Sequence, residues 1–135
     1  MEKMFLLLNS LLEAERAGVQ TMDYLLKNCS TDQLEGRFKH VKSDEAWSCA
    51  GLHDAIIREG GVPTKETGDF TEKVKSQNTL EEKLTLLNKG QSWVARKIDE
   101  VLEFELHEET RLFLIEMKTK HNENIANMEE YLSSK

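Results

Sequence analysis

Two acidic residues interrupt stripes that are otherwise apolar. Glu15 stands in the series Leu8, Leu12, Glu15, Val19, Met22, Leu26, and Glu45 in the series Leu34, Phe38, Val41, Glu45, Ser48, Leu52, Ile56. Steps of three and four residues put each series on one face of a helix. Two more polar residues break stripes further on: Gln91 in Leu80, Leu84, Leu87, Gln91, Val94, Ile98, Val101, and His121 in Leu114, Met117, His121, Ile125, Met128, Leu132. A carboxylate on a core-facing stripe needs a partner or a metal. Two carboxylates with an imidazole can hold a single ion of iron, manganese or zinc. Without an ion, neighbouring carboxylates push at least one pKa up, and they need hydrogen bonds from Gln91, His121 or a basic residue such as Lys118.

The elements that must position these groups are long helices. The first runs from about Glu2 to Lys27 and stops at Asn28-Cys29-Ser30. Ser30 with Gln33 forms a capping box that opens the second, over about Thr31 to Glu59, and Gly60-Gly61-Val62-Pro63 closes it. Residues 61–78 form a long connection, with a short helical turn from Gly68-Asp69 through Val74 and Asp69 as its N-cap. Thr79 with Glu82 is a capping box for the third long helix, and a weakly marked break near Glu103 to Leu106 precedes the fourth.

Short turns make antiparallel neighbours of the first and second long helices and of the third and fourth. The long connection can run the length of a bundle about 40 Å tall, as a crossover topology requires. The expected fold is therefore all-α: a four-helix bundle with one long crossover, with all of residues 1–135 as a single domain. In the first hairpin, Glu15 and Glu45 are symmetric about residue 30, so they stand side by side at mid-helix. About a turn near residue 105, Gln91 and His121 differ in level by about 3 Å along the axis. One polar layer of Glu15, Glu45, Gln91 and His121 can then assemble in the core.

Composition narrows the partners. The chain has 135 residues, 39% hydrophobic and 32% charged, with one Pro and seven Gly. So few breakers favour helices over a sandwich or barrel. The net charge of -7 argues against nucleic acid and against an anionic membrane surface. No apolar run is long enough to span a bilayer, and Met4 to Leu8 reads as a helix start rather than a leader. Two cysteines are too few for a disulfide framework or a thiolate zinc site, so a reduced cytoplasmic protein is expected. Cys49, one turn after Glu45, reads as a small buried hydrophobe or as a redox thiol beside that carboxylate. Trp47, Phe104 and Phe113 exceed what one small core holds, and a homodimer is the expected partner arrangement.

Several segments carry a resemblance: Leu11-Leu12-Glu13-Ala14-Glu15-Arg16-Ala17-Gly18, Asp44-Glu45-Ala46-Trp47, Gly60-Gly61-Val62-Pro63 with Gly68-Asp69-Phe70, Gly90-Gln91-Ser92-Trp93-Val94, and His121-Asn122-Glu123-Asn124-Ile125. With the topology, they make the chain resemble the ferritin-like superfamily, including the rubrerythrin relatives, and within it a branch of small bacterial domains. That resemblance implies a di-metal centre with one Glu from each of two helices and a Glu-x-x-His pair from each of the other two. Glu15, Glu45 and His121 match this pattern. Ser48 stands where a His would follow Glu45, Gln91 where the third long helix would offer Glu, and Lys118 where Glu would precede His121. Ser, Gln and Lys cannot supply the charge that two divalent ions need, so the family's di-iron oxidation chemistry does not carry over. Two functions follow. The first is a degenerate, non-catalytic interaction or dimerisation module with no cofactor. The second is a redox or oxidative-stress protein holding one Fe, Mn or Zn ion on Glu15, Glu45 and His121.

Overall fold

The computed structural model describes residues 2–29 and 31–134. Five helices follow in order: α1 (Glu2–Lys27), α2 (Asp32–Arg58), α3 (Phe70–Lys75), α4 (Leu80–Val101) and α5 (Glu108–Ser133). Ser30 of the expected capping box lies outside the described residues; the cap of α2 is Thr31, whose side chain accepts from Leu34 N. The second capping box is present, with Thr79 and Glu82 each holding the other's backbone N–H. Asp69 takes the N-cap position of α3 without a side-chain cap bond. Its carboxylate lies 3.7 Å from Lys73 Nζ instead.

α2 ends in a Schellman arrangement. Gly60 adopts φ 98°, and the N–H groups of Gly60 and Gly61 reach Ile57 O and Ile56 O at 3.0 and 2.9 Å. The left-handed conformation turns the chain off the helix, and Pro63 prevents its resumption. The connection between α4 and α5 contains neither Gly nor Pro, which is why its sequence signal is weak. It is held from a distance: Arg111 donates to Leu102 O at 3.0 Å and to Phe104 O at 2.9 Å, and Glu59 Oε2 accepts from His107 N at 3.1 Å.

Two apolar clusters make the core. One joins the start of α1 and the end of α2 to the end of α4 and the start of α5, through Leu8, Leu12, Leu52, Ile56, Ile98 and Leu114. The other joins the opposite ends, through Met22, Leu34, Phe38, Leu84, Leu87 and Met128. α4 therefore begins at the far end of the bundle from where α2 finishes, and all neighbouring long helices are antiparallel. This is the ferritin-like, all-α four-helix architecture with one crossover. No helix among the described residues is long and apolar enough to cross a membrane.

The stripes shift in detail. Leu80 is exposed, and Val19, Leu26, Ile125 and Leu132 are half-buried, while Gly18, Leu25, Asn124 and Tyr131 go inside. Steps of three and of four from one residue fall on opposite flanks of a helical stripe. The neighbouring helix decides which flank is covered. Asn124 turns inward because Asp44 on α2 accepts its amide at 2.9 Å. Trp47 and Phe113, both half-buried, pack on each other at 5.0 Å between ring centroids.

The crossover lies along α1 and runs parallel to it. Asn9 Oδ1 accepts from Thr64 N at 2.8 Å, Glu13 Oε2 from Thr64 Oγ1 at 2.8 Å, and Glu13 O from Gly68 N at 3.1 Å. Arg16 donates to Thr64 O at 2.6 Å and Glu66 O at 3.0 Å, so it serves the crossover rather than the core carboxylates. Thr71 Oγ1 meets Thr21 Oγ1 at 2.9 Å. Arg16→Ala removes charged donors from two carbonyls and should destabilise the fold by about 1–3 kcal/mol. Faster amide exchange at Gly68, measured together with melting, checks that the loss comes from release of the crossover.

Candidate metal centre

Glu15, Glu45 and His121 come together in the layer between the two apolar clusters. One ligand atom from each lies within 4.8 Å of the others. The three residues are 1%, 4% and 0% exposed, so solvent does not solvate their charge. Gly18 on α1 makes the space that Glu45 fills: a Cβ there would sit 2.1 Å from Glu45 Oε2. A glycine inside a helix costs about 1 kcal/mol against Ala, and here it admits a carboxylate.

His121 is oriented by its own helix, with Nδ1 2.9 Å from Met117 O. A carbonyl only accepts, so Nδ1 carries a proton and donates. In the neutral imidazole the lone pair is then on Nε2, which lies 3.0 Å from Glu15 Oε1. When the imidazole is protonated the two groups form a buried ion pair; when it is neutral, Nε2 is free to bind a cation. Glu45 Oε1 and both amide atoms of Gln91 have no hydrogen-bond partner among the described residues. Backbone-anchored imidazole and unsatisfied oxygens are what a cation site requires of its ligands.

The electrostatics reflect burial and the crowding of carboxylates around the imidazole. Burial pushes the Glu45 carboxyl well above its ordinary value, and the nearby Glu15 and Asp44 add to the rise. For His121, burial works against the imidazolium, but Glu15, the Met117 carbonyl and Asp44 outweigh it and raise its pKa. Burial, helped by Glu15 and Glu45 and opposed by Arg16, pushes the Cys49 thiol to about 12. Cys49 is therefore a protonated neighbour and not a reactive thiolate.

The residues that replace the remaining family ligands go different ways. Gln91, 3% exposed, lines a cavity shared with Glu15 and Glu45. Ser48 is fully buried, but its hydroxyl donates to Asp44 O at 2.9 Å on its own helix. Lys118 is not in the layer; it pairs with Asp99 at 2.7 Å on the surface, since its flank of α5 faces α4 near solvent. Asp44 and Asn124 form a second buried pair beside His121 that the stripe pattern did not single out. The available signal was the spacing His121–Asn124, one turn on the same side. The donor set fits one divalent ion, whose charge two carboxylates balance. It does not fit two ions, because Ser48 and Lys118 point elsewhere and Gln91 is neutral.

A stability prediction follows for metal-free protein. Both Glu45 and His121 bind protons more tightly when folded. Their contributions are complete below the ordinary values of 4.5 and 6.5 and are lost as pH rises through the raised folded values. Melting of chelator-treated protein should therefore fall as pH rises above 4.5, and further above 6.5. Glu45→Gln should flatten that fall, and an equal slope in both proteins would refute the Glu45 assignment.

A family model described as Domain of unknown function (DUF6306) matches residues 2–130. No curated protein matches the chain significantly. Among solved structures, a crystal structure of ferritin-like, diiron-carboxylate proteins from Bacillus anthracis str. Ames is similar, with a TM-score of 0.68 and 19% identity over 98% of this chain and 92% of that one. At that identity the likeness is one of fold. With a family match over nearly its whole length, the chain belongs to the DUF6306 family and carries the ferritin-like fold.

Proposed function

We propose that the protein binds one divalent transition-metal ion on Glu15, Glu45 and His121, with the Gln91 amide oxygen as a further donor. The observation that carries this reading is the convergence of one ligand atom each from Glu15, Glu45 and His121 within 4.8 Å in the buried layer, where Glu45 Oε1 and the Gln91 amide have no hydrogen-bond partner among the described residues. Two buried carboxylates side by side need positive charge to balance them, and a divalent ion on these ligands would supply it. Carboxylate and imidazole ligands suit iron, manganese or zinc, and the similarity to a structure of ferritin-like, diiron-carboxylate proteins favours iron. Such an ion would supply Lewis acidity or, for iron and manganese, one-electron chemistry. The chain's own residues do the rest: Met117 O fixes the imidazole, Gly18 admits the Glu45 carboxylate, and the apolar clusters above and below limit water.

A metal-free polar layer in an interaction module is the second reading. The raised Glu45 pKa supports it, because a protonated Glu45 relieves the repulsion from Glu15.

Metal analysis of protein purified without chelator separates the two readings. One ion per chain is expected, and Gly18→Ala and Glu45→Gln should each lose most of it. Gly18→Ala is informative because helix propensity by itself favours Ala by about 1 kcal/mol, so loss of metal in a folded variant reports displacement of Glu45. Chelation should lower the melting temperature of the wild type and leave Glu45→Gln unchanged. At about one hundred times Kd, a bound ion contributes about 2.7 kcal/mol. Substoichiometric metal with a chelator-insensitive melt would instead establish the metal-free layer.

A further inference from the structure

The polar layer is not sealed. A cavity of about 590 Å³ opens between α1 and α4, walled by α3, and reaches Glu15, Glu45 and Gln91 at its floor. That volume is within the range of small-molecule sites, about 300–1,000 Å³. Its walls are built on purpose-sized residues. Ala14, Ala17 and Gly18 keep the α1 side low, and Phe70 of α3 lies on Gly90, where a Cβ would come within 2.9 Å of the ring. Gln91 offers the cavity a donor and an acceptor, both buried and both without partners among the described residues.

The rim has a definite charge. Lys73, Lys89 and Arg96 line it, with the half-buried Trp93 between the last two on the same face of α4. Its acids are already engaged: Glu13 accepts from Thr64 Oγ1 at 2.8 Å, and Asp69 pairs with Lys73 at 3.7 Å. Lys89 and Arg96 make no hydrogen bond or ion pair among the described residues. In a chain of net charge -7, two free cations beside an aromatic ring at the mouth of an apolar-walled cavity mark a recognition feature.

We propose that this cavity binds a small amphipathic organic anion, with its carboxylate held by Lys89 and Arg96 and its apolar body between Phe70 and Trp93. Recognition resides in the rim and walls, so the site does not depend on the cation proposed above, although a ligand held this way would present its far end to that centre.

Octanoate is the probe, with octylamine as its charge-reversed counterpart. Trp47→Phe leaves Trp93 as the remaining indole of the two in the chain, and its fluorescence reports occupancy. Octanoate should bind saturably, and octylamine should bind at least about tenfold more weakly, a difference of about 1.4 kcal/mol. The surface double variant Lys89→Glu/Arg96→Glu should weaken octanoate by a similar factor while its circular dichroism stays unchanged. Ala14→Phe, which fills the cavity without adding an indole, should abolish the Trp93 response. Chelator treatment of the wild type should leave octanoate affinity within about threefold, so failure of the metal reading and failure of this one remain distinct. Equal binding of octylamine, no saturable octanoate response, an unaffected double variant, or loss of binding on chelation would each overturn the proposal.

Discussion

A carboxylate oxygen and an imidazole nitrogen stand 3.0 Å apart in the middle of the bundle, with a second buried carboxylate close by. The surrounding structure is organised around keeping that group in place. The Met117 carbonyl selects the tautomer of His121, and Gly18 gives up its side chain so that the Glu45 carboxylate can approach α1. Buried like charges are costly when unpaired and acceptable when a positive charge is shared among them. The layer is thus a deliberate interruption of the core, set where apolar packing above and below resists its collapse.

That packing is divided rather than continuous. Each apolar cluster draws on all four long helices, but from opposite ends, and the polar layer separates them. A fully buried Leu or Met contributes about 1.5–3 kcal/mol, so the two clusters can tolerate a central layer that contributes little or opposes folding. The crossover adds a different kind of restraint. It is tied to α1 by hydrogen bonds at Asn9, Glu13, Arg16 and Thr21, which lie along one side of that helix. These ties bring α3 over the gap between α1 and α4, and so define the wall of the cavity that leads to the layer.

The departure from a two-metal ligand set is spread over three helices and has a different physical character at each. Ser48 is small enough to satisfy itself on the backbone of its own turn. Gln91 keeps the shape of a glutamate and drops its charge. Lys118 moves out to the surface, where Asp99 neutralises it. Two of these changes lower the negative charge of the core, and the third removes a ligand without leaving a buried orphan. Together they leave the charge that the proposed single-ion centre calls for.

The sequence by itself determined the helices, their order and the level of the polar residues, because helix period, caps and hairpin symmetry are local or nearly local properties. The stripe positions of Glu15, Glu45, Gln91 and His121 and the Thr79–Glu82 box could all be read this way. The tertiary structure alone decided which flank of each stripe turned inward, as at Asn124 over Ile125, since that depends on the helix alongside. It also decided the destination of Arg16, the closure of the turn at 102–107 by Arg111, and the exclusion of Lys118 from the layer. A long cationic side chain can reach partners on either side of its helix, and its choice rests on charges and carbonyls supplied by segments remote in the chain.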